Sequence, residues 1–310
     1  MSRNNIKKDG AKQMKYKISV IIPVYNRIDE LKLTLNTLRA QTLPKSEFEV
    51  VIADDGSAQD IPGLLKQYVD LNIIYCRQED LGFRVAAVRN LGIKNAQGEI
   101  LVFNDNGILF TPTVLEEHVK LHSERGNLVV LGYMFGTNWQ CDTDKIRNLL
   151  DEKTTQDAIA VMKEHGGMGD GREGYITRFG EDISSWYIPW LALWGGHFSV
   201  RRDFIDAHNI AFDEAFTSWG GEDNDFGIQL CRAGCYYLLA RGIEVVHYPT
   251  PNRANSDIST EDFKKHYKTV VAYIAEKHKT EDVIAWQSLG SSVNDAEKRK
   301  EFLKDYYQKN

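Results

Sequence analysis

Short apolar segments alternate with amphipathic helical segments between residues 17 and 103, and this alternation restricts the fold more than any other feature of the chain. β-branched residues dominate the apolar segments, as is typical of buried strands. The predicted strands span residues 18–22, 48–53, 72–75 and 100–103, and the predicted helices span 29–40, 61–69 and 85–96. Repeated β and α units of this length predict an α/β fold with a largely parallel, twisted sheet flanked by helices.

The composition argues against several classes of protein. Of the 310 residues, 42% are hydrophobic and 26% are charged, which is typical of a globular protein with a large core. A formal net charge of −6 argues against a general affinity for nucleic acid. The basic N-terminus lacks the apolar region of a secretory signal, and no apolar run reaches the roughly 18 residues of a membrane span. Four scattered cysteines argue against a disulfide framework, so we expect a cytoplasmic protein.

The regular alternation weakens after residue 132. Residues 137–187 are polar and rich in glycine, which predicts a flexible surface loop. The glycine cluster at 165–171 lacks the preceding strand and the spacing of a phosphate-binding loop. Beyond residue 255 the chain is charged and has helical periodicity. We therefore divide the chain into a flexible basic N-terminus (1–16), two halves of a sheet domain (17–135 and 136–255) and a C-terminal helical extension (256–310).

Polar side chains lie at the carboxyl ends of the predicted strands, where open α/β sheets bind their ligands. The segment 23–26 follows the first strand, Asp54 and Asp55 end the second, and the segment 104–106 follows the fourth. Arg89 belongs to the helix before the fourth strand. An aromatic ring, carboxylates that accept from a base N–H and an arginine for phosphate together suit a nucleotide. Aspartates also commonly terminate strands, but three of them at these ends favour the ligand interpretation.

A second group of acids lies in the segment 219–225, with the sequence Trp-Gly-Gly-Glu-Asp-Asn-Asp. Its two glycines allow a sharp turn, and an amphipathic helix follows directly. Carboxylates in this position can carry acid–base chemistry, or they can be ordinary residues of a first helical turn. The helix N-terminus is expected to lower the pKa of the acid and to keep it ionised, which suits a general base.

Together these segments resemble those of A-type-fold, family-two-like nucleotide-sugar glycosyltransferases. The second half resembles the galactosyltransferase module of bacterial chondroitin polymerases and vertebrate β-1,4-galactosyltransferases. The matches run in family order over about residues 17 to 252 and comprise SVIIPVYN (19–26), ADDGS (53–57), AVRNLG (87–92), Gly195–Gly196, WGGEDND (219–225) and VHYP (246–249). The resemblance implies an A-type α/β fold in which residues 17–135 bind the nucleotide sugar and residues 136–255 bind the acceptor and carry out catalysis.

The resemblance also implies roles for individual residues. Asp223 is expected to act as general base on the acceptor hydroxyl, and Glu222 is expected to hold the acceptor sugar. Asp55 is expected to accept from the N3–H of uracil. The other expected donor-binding residues are Pro23, Tyr25, Asn26, Asp54, Arg89 and Asp105. The other expected acceptor-binding residues are Trp219, Gly221, Trp194 and His197, with a core position as the alternative for Trp194.

The metal site departs from the family pattern. The family places Asp-x-Asp after the fourth strand, whereas this chain has Asp105 at the first position and Gly107 at the second. His247 matches the histidine that completes the site in the galactosyltransferase module. Asp105, His247 and diphosphate oxygens can still hold Mn²⁺ or Mg²⁺, with lower affinity because one carboxylate is missing. Metal-independent transfer and a degenerate, weakly active protein are the alternatives.

The function that we predict is inverting transfer of a sugar from a UDP-sugar to an acceptor hydroxyl, in polysaccharide biosynthesis or in the synthesis of a specialised glycoside. A non-catalytic glycan or nucleotide-sugar binding protein is the alternative. The expected partners are a nucleotide-sugar donor and a glycan or small-molecule acceptor, without nucleic acid. A lipid-linked acceptor would bring the protein to a membrane surface. The identity of the sugar and the oligomeric state are open.

Overall fold

The computed structural model describes residues 14–138, 141–249 and 260–309. Within these residues one eight-stranded sheet has the strand order β3-β2-β1-β4-β7-β6-β8-β5. The strands are β1 Tyr16–Val24, β2 Phe48–Asp54, β3 Ile73–Arg77, β4 Gly98–Asn104, β5 Ile108–Phe110, β6 Leu128–Phe135, β7 His197–Arg201 and β8 Tyr236–His247. The predicted N-terminal segment 1–16 lies almost entirely outside the described residues.

Parallel pairing dominates the first half of the sheet. β1 lies between β2 and β4, and β3 extends the sheet beyond β2, with all three pairings parallel. β7 then pairs antiparallel with β4, so the two halves predicted from the sequence share one sheet. Four of the seven pairings among the described strands are parallel, which confirms a mostly parallel α/β sheet.

Both faces of the sheet are covered. Alternate residues of a strand enter different cores, since successive side chains point to opposite faces. Ile21 and Leu101 belong to one core, whereas Val20 and Val102 belong to the other. β2 is buried along its whole length, which explains its mostly apolar sequence, and its buried Glu49 accepts from the Ser19 hydroxyl at 2.6 Å.

Twelve α-helices are present within the described residues. Their bounds are α1 Ile28–Arg39, α2 Ile61–Leu65, α3 Val85–Asn95, α4 Val114–Glu124, α5 Thr143–Glu152, α6 Thr155–His165, α7 Glu173–Phe179, α8 Arg202–Ala207, α9 Glu222–Arg232, α10 Thr260–His278, α11 Glu281–Leu289 and α12 Ala296–Lys309. The last three confirm the predicted C-terminal helices. No described helix has both the length and the apolar character needed to cross a membrane.

The prediction of a loop within residues 137–187 is correct for the glycine cluster, which follows α6 and precedes α7, but wrong for much of the segment, which α5, α6 and α7 occupy. Side chains of Asp142 and Thr154 cap the first two of these helices by accepting from backbone N–H groups. Ile146 and Ile159 are buried in a small core against Phe135. Polar composition hid this helical region, whereas the caps and the apolar spacing indicate it.

Candidate active site

The turns after β1 and β2 are joined at the carboxyl end of the sheet. The Asn26 backbone N–H donates to Ser57 Oγ at 2.7 Å, and Asn26 Oδ1 accepts from the Ala58 N–H at 2.9 Å. Tyr25 is 49% exposed, and its hydroxyl donates to Asp80 Oδ2 at 3.1 Å. Pro23, near the end of β1, is partly buried. The predicted donor-binding residues of the first strand therefore lie together at the ligand-binding edge of the sheet.

The two aspartates at the end of β2 have different environments. Asp54 is 1% exposed, and it accepts from the Ser57 N–H at 2.8 Å and from the Tyr75 hydroxyl at 2.6 Å. Its carboxylate stabilises the turn beneath the cleft, so the structure does not support the donor contact expected for it. Asp55 accepts from the Arg84 N–H at 3.0 Å, and burial raises its pKa.

Arg89 connects the donor half to the acceptor half. It is 2% exposed on α3, where its Nη1 donates to Glu222 Oε1 and its Nη2 donates to Asp105 Oδ1, both at 2.9 Å. The two carboxylates raise the pKa of the guanidinium against the opposing effect of burial. Glu222 Oε2 is buried and accepts no hydrogen bond within the described part of the chain. This oxygen is available to accept from a bound hydroxyl.

Asp223 lies in the first turn of α9, beside this cluster. Its Oδ2 accepts from the Gly195 N–H at 3.1 Å, and its Oδ1 accepts from the Asn224 N–H at 2.8 Å. Asp223 as a whole residue is partly exposed, but removal of its carboxyl group from water and the nearby Glu222 raise its pKa to about 7, against the opposing effect of Arg89. The expectation that the helix N-terminus lowers this pKa is wrong, because removal from water and a like charge outweigh the helix dipole.

Gly221 forms the turn before α9 and is packed beneath α10. Its φ of +95° favours glycine, and a Cβ at this position would lie 2.2 Å from Val270 Cγ1. Gly221 is therefore a buried turn residue, and the acceptor contact expected for it is not supported. Trp219 is 45% exposed at the same turn, and its carbonyl accepts from His266 Nε2 at 2.7 Å. The accessible Trp219 ring remains suited to an acceptor.

His197 is fully buried, so the prediction that it contacts the acceptor is wrong. Its Nδ1 bonds Asn104 Oδ1 at 2.7 Å, and its Nε2 bonds His118 Nε2 at 3.0 Å. Burial lowers the His197 pKa to about 3, so the ring is neutral at physiological pH. The prediction for His197 was based on the neighbouring Gly195–Gly196 pair. This pair does contact the candidate site, because the Gly195 N–H donates to Asp223.

Trp194 is partly buried one residue before Gly195. The Arg172 guanidinium lies 5.6 Å from the centre of its ring. Trp190, by contrast, is wholly buried and packs edge-to-face on Trp286 at 5.0 Å. The aromatic cluster before β7 is therefore divided, with Trp190 in the core and Trp194 nearer to the cleft.

The proposed metal residues Asp105 and His247 lie at the same end of the sheet. His247 pairs with Ile108 across β8 and β5, and the Tyr248 N–H donates to the Gly107 carbonyl at 2.8 Å. Asp105 is 40% exposed despite its ion pair with Arg89. The described residues contain no group of three His, Cys, Asp or Glu side chains that could hold a metal. One carboxylate and one imidazole fit Mn²⁺ or Mg²⁺ only as part of a site that a donor diphosphate would complete.

Residues after β3 also lie at this end of the sheet, beside the predicted donor-binding residues, and were not predicted from the sequence. Gln78 donates to Asp55 Oδ1, and Asp80 accepts from Tyr25. The rule that ligands bind beyond the carboxyl ends of parallel strands also applies to β3 and would have identified this segment.

Residues 19–208 match the family described as Glycosyl transferase family 2. The chain is 36% identical over 239 residues to a validoxylamine A glucosyltransferase from Streptomyces hygroscopicus subsp. jinggangensis, covering 75% of this chain and 56% of the relative. It is 30% identical over 250 residues to a chondroitin synthase from Escherichia coli, covering 77% and 35%, respectively. The chain spans about half or less of the length of these relatives.

Solved structures show the same fold. Residues 1–349 of S. aureus TarS in complex with UDP-GlcNAc match with a TM-score of 0.61 and 21% identity, covering 89% of this chain and 72% of that one. A Pyrobaculum calidifontis mannosyltransferase in complex with GDP-Man and Mn²⁺ matches with a TM-score of 0.57 and 16% identity, covering 93% and 74%.

The fold and the family match define a glycosyltransferase of the A-type fold. The chain belongs to Glycosyl transferase family 2. This membership supports a transferase rather than the alternative of a non-catalytic binding protein.

Proposed function

We propose that this chain transfers a sugar from a UDP-sugar to an acceptor hydroxyl with inversion at the anomeric carbon, and that Asp223 is the general base. The position and the pKa of Asp223 carry the proposal. Its carboxylate lies beside the Arg89–Glu222 pair, and its pKa is raised to about 7. A base with a pKa near the working pH combines a large deprotonated fraction with useful basicity.

In the proposed reaction, an Asp223 oxygen takes the proton as the acceptor oxygen forms its bond to the anomeric carbon. The bond from that carbon to the diphosphate oxygen breaks, and UDP leaves with the bonding electron pair. The Gly195 N–H and the Asn224 N–H fix the orientation of the carboxylate. Glu222 Oε2, which accepts no hydrogen bond within the described residues, would accept a second hydrogen bond from the acceptor on binding.

On the donor side, Asp55 would accept from the N3–H of uracil, and Tyr25 and Asn26 would line the base pocket with Pro23. Both Asp55 oxygens already accept from protein groups, but an ionised carboxylate has further acceptor sites. The TarS match in complex with UDP-GlcNAc supports a UDP donor.

Asp105 and His247 would hold a divalent ion, Mn²⁺ or Mg²⁺, together with the donor diphosphate. Such an ion neutralises charge that develops on the leaving group. The mannosyltransferase match in complex with Mn²⁺ supports this assignment. Arg89 would contribute positive charge near the same position, because it already contacts Asp105.

The relatives point to two kinds of acceptor. One is named as a validoxylamine A glucosyltransferase and another as a chondroitin synthase, so we propose a carbohydrate or related polyol acceptor in glycan or specialised-glycoside synthesis. We also propose a cytoplasmic location. The four cysteines form no disulfide in the described structure, which fits a reducing compartment.

The test measures UDP release from UDP-glucose, UDP-galactose and their N-acetyl forms, with Mn²⁺ and a panel of methyl glycosides as acceptors. Asp223→Asn should lower acceptor-stimulated UDP release by about 100-fold or more, because the general base is lost. The Kd for UDP should change by less than about 2-fold. Asp206→Asn, which alters a 56% exposed carboxylate on α8, is the matched control. It should change neither acceptor-stimulated UDP release nor the Kd for UDP. Full activity of Asp223→Asn, or a product with retained anomeric configuration by NMR, would overturn the proposal.

A further inference from the structure

Helix α10 packs along the turn 219–225, which carries the proposed base Asp223, and contacts this segment at three positions. His266 donates to the Trp219 carbonyl, and Val270 packs against Gly221. Further along the helix, Lys277 bonds the buried Asp225 at 2.8 Å. The turn that presents Asp223 is therefore held by a helix that follows residues 19–208, the segment matched by the family model.

Tyr267 lies on this helix, next in sequence to His266 and one turn before Val270 and Val271. It is 42% exposed, although its neighbours Val270 and Val271 are buried. Its ring packs edge-to-face on Trp286 with the centroids 6.4 Å apart. Trp286 is itself 2% exposed, so Tyr267 has a rigid support on one side and an accessible surface on another.

Helical periodicity places Tyr267 on the face of α10 that packs against the turn 219–225, because Val270 and Ile274, three and seven residues further on, both lie against Gly221. Burial, with smaller contributions from the charges of Tyr175 and Asp223, raises the pKa of the Tyr267 phenol to about 12. The hydroxyl therefore stays protonated at physiological pH. A neutral aromatic ring close to a base that receives a proton from the acceptor is placed to contact the acceptor itself.

We propose that Tyr267 forms an aromatic platform for the acceptor, and that the acceptor residue bound there is a pyranose or a similar six-membered polyol ring. This inference rests on the proposed function. The C–H face of such a ring is apolar and covers an aromatic face, while its hydroxyls remain at the rim for hydrogen bonds to carboxylates such as Glu222. An acyclic hydroxyl, such as a glycerol or a serine side chain, offers no comparable face.

The experiment uses the full chain, Mn²⁺ and whichever UDP-sugar is hydrolysed fastest in the absence of an acceptor. Methyl glycosides of glucose, galactose, glucuronic acid and the N-acetylhexosamines are compared with glycerol and N-acetylserine amide. At least one methyl glycoside should stimulate UDP release more than either acyclic compound. Tyr267→Ala should raise the KM for that glycoside by about 5- to 10-fold, and Tyr267→Phe by less than about 2-fold, because the ring provides the platform.

Tyr273→Ala is the matched control, since Tyr273 is 41% exposed on the same helix but contacts Phe216 and Asp213 instead. It should leave the KM unchanged. Equal stimulation by glycerol, a normal acceptor KM in Tyr267→Ala, or a Tyr267→Phe variant as impaired as the alanine variant would overturn the inference. Absence of UDP release from every donor would instead reject the proposed function. The rate of donor hydrolysis in each variant and its melting temperature separate these outcomes from misfolding.

Discussion

The donor side and the acceptor side of the cleft are built in different ways. On the donor side, short turns follow parallel strands that are neighbours in the sheet, and Asn26 bonds both Ser57 and Ala58 across two of these turns. On the acceptor side, the turn 219–225 is held by α10, which lies some fifty residues further along the chain. The first arrangement depends on strand order, whereas the second depends on the packing of a distant helix.

This difference has a consequence for stability and for catalysis. The donor turns rest on the central strands, where backbone pairing and two buried cores fix their geometry. The turn 219–225 rests on side-chain contacts such as Lys277 with Asp225, which a single substitution can remove. We therefore expect the two sides to respond separately to mutation, except at Arg89, which bonds to both.

The largest loss of stability is expected from substitution of Arg89, because this residue bonds to both sides of the cleft. Arg89→Leu leaves Glu222 buried and without its cationic partner, which should lower the free energy of unfolding by about 3–5 kcal/mol. Chemical denaturation measures this loss. The double variant Arg89→Leu/Glu222→Leu should recover at least half of it, because the unpaired charge is removed as well. No recovery would mean that Arg89 acts through packing on Phe212, 5.3 Å from its guanidinium.

The second prediction concerns only the acceptor side. Since the Asp223 pKa is raised to about 7, kcat/KM should fall about tenfold for each pH unit below that value and should level off above it. The sign follows from the role of the base, which is inactive when protonated. The Kd for UDP should not follow this curve between pH 6 and 8. A pH–rate profile with its acidic limb near 4 would contradict the raised pKa of Asp223.

Much of the donor side could be predicted from the sequence, because the β-branched runs and the polar residues after them are local signals. Val20 and Ile52 identify their strands, and Asp55 follows from the end of β2. The burial of His197 could not be predicted in this way. It depends on His118 and Asn104, which are distant in sequence and meet only in the folded protein.

The pKa of Asp223, on the acceptor side, also could not be predicted from the sequence. The position of Asp223 at a helix start was evident from the glycines before it, and its pKa was expected to fall. Burial and the charge of Glu222 reverse the shift, and both depend on how α9 packs against Arg89 and Gly195. The start of a helix, and with it the effect of the helix dipole, can be predicted from the sequence. The exposure of a side chain to water cannot, because it depends on tertiary packing.

The third prediction weakens the acceptor side through its supporting helix. Lys277→Met removes a cationic partner of the buried Asp225. Asp225 retains its contact with His278 Nε2 at 2.8 Å. The loss should cost about 1–3 kcal/mol of stability, since a hydrogen bond to a buried charge is lost. It should lower kcat while leaving the Kd for UDP within about 2-fold. Lys279→Met removes only an exposed pair with Glu276 and should cost less than about 1 kcal/mol. Weaker UDP binding in Lys277→Met would show that α10 supports the donor side too.

The smallest effect is expected on the donor side, where two variants of Asn26 separate its hydrogen bond from its backbone conformation. Asn26 has a φ of 54°, which alanine adopts at a cost of about 1–2 kcal/mol and glycine adopts readily. Both variants lose the bond from the Ala58 N–H, so both should weaken UDP binding by about 5-fold, equivalent to about 1 kcal/mol. Asn26→Ala should lower the melting temperature more than Asn26→Gly, because only alanine is strained at this φ. Isothermal titration with UDP and thermal unfolding measure the two effects. A change in the acceptor KM of Asn26→Gly would show that the two sides of the cleft are coupled away from Arg89, and the contrast between them would then fail.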